Sequence, residues 1–451
     1  MVAIPHSMHT PHYTDFRENR MTVIFSVLSY GKMTRHLIGI RFPFCSSMKF
    51  FFSAGEPSGD IHAAALIETI KKLASNAEFV GLGGPKMEQA GCRLVADMTQ
   101  FAVMWLWQAV KRYFQFRQLL DAAKQVLIFE NVDAVVLVDY PSFNWHIAKA
   151  AQDLDIPVVY FMPPQVWAWA QHRVHKMRRL VDLVLCALPF EWQWFKQHGC
   201  ETAFIGHPFF EEIRKKQSDP EFLEKFYAQY GNAPVLTLLA GSRDQEVRAN
   251  LNDMLSTVRR VQDKLPGVQP VFAAFNHKHA AMIQKRLAAR KMSVPVFVNR
   301  TTELIRAADC CLAVSGSVSL ELLACNKPTV ICYRVGWWGL QIQRFFRRTR
   351  YITLVNLLGL SNRRGQSVFY EDSVRVIPKE PSLTDRNLML FPEFLSSTDR
   401  SVEMAAWLTY WLSKPELLAA HKQRLDTLLR EVDTVESPLE LAAKALVRVA
   451  W

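Results

Sequence analysis

Four side chains in two short stretches have the chemistry of a proton acceptor. Glu56, Asp60 and His62 lie in KFFFSAGEPSGDIH (Lys49–His62), and Asp139 ends the apolar run AVVLV. A carboxylate or imidazole within hydrogen-bond reach of a hydroxyl can take its proton as that oxygen attacks. From position alone, Asp139 serves equally well as a helix cap or turn former, helped by Pro141 and Asn144. A second pair of stretches suits a phosphorylated ligand. LLAGSR places Gly241, Ser242 and Arg243 at a strand end, where backbone N–H groups and a fixed guanidinium can cradle a diphosphate. Ser315 and Gly316 open another helix after an apolar run, and Glu321 follows about one turn later. The bland reading of these is a structural turn, a surface arginine and a glutamate that complements a helix dipole.

The elements that must hold these residues read as an open α/β architecture. Phe50–Phe52 runs straight into a tight loop with Ser58 and Gly59, and an apolar-periodic helix follows, which Asp60 is placed to cap. Strand-like runs recur at Phe79–Leu82, Ala134–Val138, Val158–Phe161, Leu183–Ala187 and Ala203–Ile205, with helical patterns between. After turn-rich residues 206–234 a second series begins: Val235–Leu239, Val271–Phe275, Val296–Val298, Cys311–Val314 and Thr329–Tyr333. Such alternation predicts mostly parallel sheets covered by helices, with ligands bound outside the carboxyl ends of the strands. The expected boundaries are an N-terminal extension without structural weight at 1–47, one Rossmann-like domain at 48–208, a second at 209–400, and helices at 401–451.

Composition sets outer limits. With 451 residues the chain exceeds a single core, and its net charge of +12 suits anionic lipid, nucleic acid or phosphorylated substrates. No apolar run reaches the roughly 18 residues of a transmembrane helix. The cysteines lack metal spacing, and no D-x-D-like pair stands ready for a divalent ion. Neither half carries G-x-G-x-x-G, which argues against a dinucleotide oxidoreductase. Phe101–Gln118 interleaves Trp105 and Trp107 with Lys111 and Arg112, a composition that suits a lipid headgroup boundary or an amphipathic helix packed on the sheet. Trp337-Trp338, followed by Arg344–Arg350, repeats it.

The ordered motifs resemble the lipid-A-disaccharide synthase family, glycosyltransferases of the GT-B fold. They are Ala54–Asp60, Gly83–Met87, Val138–Asn144, Val166–Trp169, Leu188–Glu191, Phe204–Pro208, Gly241–Arg243 with Glu246, and Ser315-Gly316 with Glu321. The resemblance covers about Lys49 to Asn356 and, more loosely, the rest. It implies two Rossmann-like domains facing a cleft, with C-terminal helices crossing back to the first. It implies UDP-2,3-diacylglucosamine as donor and 2,3-diacylglucosamine 1-phosphate as acceptor, with no cofactor and no nucleic acid. Asp139 falls in the motif of the family's proposed base, and Glu321 where a glutamate holds the ribose. Asn356 matches a donor-pocket motif, and Glu393 stands near a family glutamate. Two departures stand out: Val355 replaces a usual proline, and an insertion, 360–389, separates those last two motifs. The implied setting is the cytoplasmic face of the inner membrane of a Gram-negative-type bacterium, with a homodimer as a further expectation. The alternatives kept open are another GT-B enzyme on UDP-amino sugars, such as a 2-epimerase or polyprenyl-linked transferase, and a noncatalytic membrane-binding protein.

Overall fold

The computed structural model describes residues 47–98, 109–231, 233–361, 367–370, 388–433 and 436–451, with backbone alone for 109–114. The chain divides into two compact units, Met1–Ser47 and Met48–Trp451, and both sheets of the protein belong to the second.

Seven strands, β1 (Lys49–Ala54), β2 (Glu78–Gly83), β3 (Arg93–Asp97), β4 (Ala134–Val138), β5 (Val158–Phe161), β6 (Leu183–Cys186) and β7 (Thr202–Phe204), form one parallel sheet in the order β3-β2-β1-β4-β5-β6-β7. Six more, β8 (Val235–Leu239), β9 (Gln269–Ala274), β10 (Val296–Val298), β11 (Cys310–Val314), β12 (Thr329–Arg334) and β13 (Glu393–Ser396), form a second in the order β10-β9-β8-β11-β12-β13. Central strands are buried on both faces, so they read as unbroken apolar runs; Phe50, Phe51, Phe52 and Ala134–Leu137 are fully buried. Each such Val, Leu or Phe contributes about 1.5–3 kcal/mol on leaving water.

In each sheet the strand order reverses once, between β1 and β4 and between β8 and β11. A crevice opens at such a switch point, outside the strand ends. The β1 loop with Glu56 and the β4 end with Asp139 flank the first. Arg243 after β8, and Ser315-Gly316 after β11, flank the second.

The helices that position the site are α1 (Pro57–Leu73), α2 (Pro85–Gln89), α3 (Pro141–Gln152), α4 (Asp244–Lys264), α5 (Val318–Ala324), α6 (Trp337–Phe346), α7 (Leu354–Ser361), α8 (Ser401–Leu412), α9 (Pro415–Val432) and α10 (Pro438–Ala450). The C-terminal helices do cross back. α8 packs on α4 in the second half, and α10 lies on α1 in the first, with Ala442, Ala443 and Leu446 in the same apolar cluster as Ile67 and Ile70.

Two strands escaped the sequence reading, β3 and β13. Both are edge strands, and all but Ser396 of their residues stay partly or fully exposed, so neither spells an apolar run. A helix at Pro220–Tyr230 was missed as well, although Asp219 caps it by accepting from Phe222 N at 3.1 Å.

Candidate active site

The end of β4 is strained. Asp139 and Tyr140 have φ of 46° and 44°, consecutive left-handed residues with side chains. Such residues cost of order 1–3 kcal/mol each and persist only when their surroundings hold them. Here Asn144 Nδ2 and the Tyr160 hydroxyl both donate to the Asp139 carbonyl at 2.7 Å. Asn144 Oδ1 in turn accepts from the Ser53 hydroxyl at 2.7 Å, tying the turn to β1. The Tyr140 ring lies flat against Gly55; a Cβ at 55 would stand 2.2 Å from Tyr140 Cδ1. Glycine is therefore required in the GEPSG loop by close approach rather than by its own φ.

This turn aims the Asp139 side chain into a half-buried electrostatic cluster. Burial raises the Asp139 carboxyl above the usual aspartate range, while the Tyr140 N–H and nearby His62 pull it back. Burial lowers His62, opposed by the carboxylates of Glu212 and Asp139. Burial, and secondarily Asp139, raise Glu56, whereas Arg243 lowers it. Arg243 lies in the loop that follows β8 of the second sheet. Its influence on Glu56 means that the loops at the two switch points come close enough for their charges to interact.

His207 sits behind His62. Burial pushes its imidazole down to about 4, and its Nδ1 accepts from Phe209 N at 3.2 Å, so it is a neutral helix cap at ordinary pH. Ser58 is exposed and Gly59 buried in the first turn of α1.

At the second switch point, Gly241 has φ +106°, and a Cβ there would meet Glu246 Oε2 at 2.7 Å. Glu246 caps α4, accepting from Ser242 N and Arg243 N, each at 3.2 Å, and from Arg243 Nη1 at 3.0 Å. The Ser242 N–H expected to face a diphosphate is thus already engaged. The Arg243 side chain remains exposed, with further donors for an anion. Glu321 is buried on α5, where its Oε1 accepts from the Thr302 hydroxyl at 2.8 Å and from Lys216 Nζ at 3.4 Å. Ser315 and Gly316 form the open loop before it, held by Ser319, whose hydroxyl donates to Gly316 O at 2.8 Å.

Three expected site residues have other employment. Asp60 does not cap the helix it lies in, because Glu56 holds that N-cap position. It is buried, and its carboxylate accepts from Gly84 N, Lys86 N and Met87 N, each at 3.0 Å, capping α2. Its carboxylate is thereby committed to holding the start of α2. Asn356 is also buried with its amide consumed: Nδ2 donates to Phe391 O (2.7 Å) and Glu393 (3.0 Å), while Oδ1 accepts from Leu390 N (2.9 Å) and Phe391 N (2.8 Å). Glu393 accepts from Ile352 N at 2.8 Å and Thr353 N at 3.1 Å just ahead of α7. These two residues join α7 to β13. Trp105 and Trp107 lie outside the described residues; Lys111 and Arg112 fall in the helix Ala109–Phe129, described there by backbone alone.

Sequence reasoning overlooked Tyr140, Tyr160 and His207. Tyr140-Pro141 was the available signal, since a proline disfavours the ordinary helical conformation for the residue before it.

Known proteins decide among the readings that these residues allow. A family model described as lipid-A-disaccharide synthetase matches residues 50–365, well over half of the chain. The chain belongs to the lipid-A-disaccharide synthetase family. The lipid-A-disaccharide synthases of Myxococcus xanthus and Trichlorobacter lovleyi are 31% and 32% identical to it over 305 residues, 68% of this chain and 79% of each relative. Among solved structures, the UDP-GlcNAc 2-epimerase of Neisseria meningitidis bound to UDP-GlcNAc superposes with a TM-score of 0.54 at 12% identity, covering 89% of this chain and 99% of that one. The calicheamicin glycosyltransferase CalG4 superposes at 0.53 and 12% identity, covering 90% and 98%. At such identities the likeness concerns fold alone, and that fold is GT-B, as the motifs implied.

Proposed function

We infer that this chain is a lipid-A-disaccharide synthase. It moves 2,3-diacylglucosamine from UDP-2,3-diacylglucosamine onto the 6-hydroxyl of 2,3-diacylglucosamine 1-phosphate, forming the β-1,6 disaccharide and releasing UDP. Family membership carries the activity. Support for the placement of the chemistry comes from the strained, half-buried Asp139 and from Glu56, whose carboxyl feels both Asp139 and Arg243.

Inversion in one displacement needs a base on the acceptor side and charge stabilisation on the leaving side, and no covalent nucleophile. Asp139 takes the proton of the acceptor hydroxyl, with a carboxyl raised by burial and hence a stronger base than a free aspartate. His62 and Glu56 tune that field and are the reserve candidates. Arg243 neutralises the diphosphate oxygens as UDP departs, at a site where fixed charges need no reorganisation. Glu321 holds the ribose hydroxyls with its second oxygen, while Thr302 and Lys216 steady the first.

Both substrates carry acyl chains, so the enzyme works at a membrane surface. No helix among the described residues is long and apolar enough to cross a bilayer. α6 supplies a docking face instead: Trp337, Trp338, Ile342, Phe345 and Phe346 are all exposed on one short helix, flanked by Arg344, Arg347, Arg348 and Arg350. Aromatic side chains beside arginines suit the headgroup boundary of an anionic bilayer. The surface so met is the cytoplasmic face of the inner membrane.

Mass spectrometry of the product from the two acylated sugars mixed with purified protein tests the activity. The disaccharide 1-phosphate and an equal amount of UDP are expected; an epimerised UDP-sugar, or UDP without disaccharide, refutes it.

A further inference from the structure

A cavity of about 770 Å³ runs along the outer flank of β13, the edge strand of the second sheet. It lies between α6, β13, α8 and α9, and none of Glu56, Asp139, Arg243 or Glu321 lines it. Its size falls in the range of small-molecule sites, about 300–1,000 Å³.

The lining is of two kinds. Arg344, Arg347, Arg350, Arg400 and Arg424 reach it from three sides, against two carboxylates, Glu393 and Glu403. Both carboxylates are engaged, and Glu393 is also attracted to Arg347. Glu393 is occupied by Ile352, Thr353 and Asn356, and Glu403 pairs with Arg400 at 2.7 Å. Between these charges the lining is apolar, from Trp407, Trp411, Phe394, Leu395 and Leu417.

Arg347 makes this a built site. Its Nε is buried and has no hydrogen-bond partner among the described residues. A guanidinium stays charged in a protein, and an unused N–H on a buried one is costly even where Glu393 offsets part of its charge. An oxyanion in the cavity would relieve that cost by accepting two parallel N–H bonds. The helix before Arg347 explains what else the ligand carries. α6 turns Trp337, Trp338, Ile342, Phe345 and Phe346 outward, while Leu340, Gln343 and Arg344 face the cavity. The cavity therefore sits behind a helix face that exposes five large apolar side chains.

We propose that this cavity binds an oxyanion-headed acyl chain, a phosphate or carboxylate with a hydrocarbon tail. The head sits on Arg347 and the tail lies against Trp407 and Trp411. The assignment shares with the membrane reading only the apolar face of α6, and its test needs no membrane.

Calorimetry with octyl phosphate, inorganic phosphate and octanol separates head from tail. Octyl phosphate binds at least about tenfold tighter than either of the others, because only it satisfies both kinds of lining. Arg347→Gln weakens octyl phosphate by about tenfold or more. Ala406→Trp does the same by filling the rim, and Ala406 is exposed, so this second variant keeps its core if Arg347→Gln does not. UDP affinity stays at the wild-type value in both. Equal affinity for octyl phosphate and inorganic phosphate overturns the acyl chain. Unchanged octyl phosphate affinity in both variants overturns the cavity. Loss of docking on anionic vesicles with octyl phosphate binding intact refutes the membrane reading and leaves this assignment standing.

Discussion

Asp139→Asn separates chemistry from architecture at the strained turn. Asparagine keeps the shape, can accept the same Tyr140 N–H, and tolerates a left-handed φ better than most residues. It cannot take a proton. Removing a general base typically costs about 10²–10⁴ in rate, or roughly 2.7–5.4 kcal/mol of transition-state stabilisation at about 1.36 kcal/mol per tenfold. kcat should fall by that order, while UDP affinity stays nearly constant. Stability should move the other way. Burial raises the Asp139 carboxyl above its unfolded value. A carboxyl that holds its proton more tightly when folded destabilises the native state once ionised. That cost is absent below the unfolded pKa, grows up to the raised folded pKa, and is fully present above it. At pH 7 the Asn variant should therefore melt at the same temperature or higher, with the advantage shrinking as pH falls through the carboxylate range. Asp139→Ala should lose stability instead, because a left-handed alanine carries a penalty of roughly 1–2 kcal/mol. Steady-state kinetics and thermal melts across pH read both effects. An Asn variant within a few-fold of wild-type kcat would remove Asp139 as the base and leave His62 and Glu56. An unfolded one would make Asp139 structural.

Arg243→Ala removes an exposed charge and should weaken UDP binding by about 1.5–3 kcal/mol in calorimetry, with an unchanged melting temperature. Glu321→Gln keeps the bulk against Thr302 and should also weaken UDP; wild-type affinity in both variants removes the nucleotide site from this switch point. Asn356→Ala strands Leu390 N–H, Phe391 N–H and Phe391 C=O, so urea denaturation should show a loss of about 1–3 kcal/mol or more, while the folded protein binds UDP normally. Replacing Trp337, Trp338 and Phe345 with serine should lower cosedimentation with anionic vesicles and leave kcat on detergent-dispersed substrates intact; unchanged cosedimentation refutes the docking face. A chain beginning at Met48, the first residue of the second compact unit, should keep full activity, and an inactive or insoluble product contradicts this.

What the sequence could disclose depended on how far away each residue's partner lay. Central strands were legible because burial on both faces writes itself as consecutive apolar residues, as in AVVLV and CCLAV. Edge strands β3 and β13 were not, since their exposed sides accept any residue. Asp139 could be placed at a strand end from its neighbours alone, and the strain there could not, because it depends on Ser53 and Tyr160 from other strands. Asp60 was misjudged for the same reason. The helix it caps starts at Pro85, after Gly84, a residue with no side chain to serve as its own cap. That missing cap was the one available hint that a carboxylate from elsewhere would supply it. Asn356 and Glu393 matched family motifs by position, yet in the fold they hydrogen-bond each other, and a motif match carries no record of such pairing.

The places where local rules fail in this molecule then fall into one pattern. A left-handed Asp-Tyr pair is held against its preference at the end of β4. A helix turns tryptophans and phenylalanines toward solvent at the surface. Behind it a buried guanidinium nitrogen lacks a partner among the described residues. Each costs stability that the chain would gain by a simpler residue, and natural sequences keep such violations where function needs them. A soluble sugar as substrate would account for the first alone. The proposed substrates, phosphorylated sugars with acyl chains, would use all three: the first as the proposed base, the second as the proposed lipid-facing surface, and the third as the proposed cation for an acidic amphiphile.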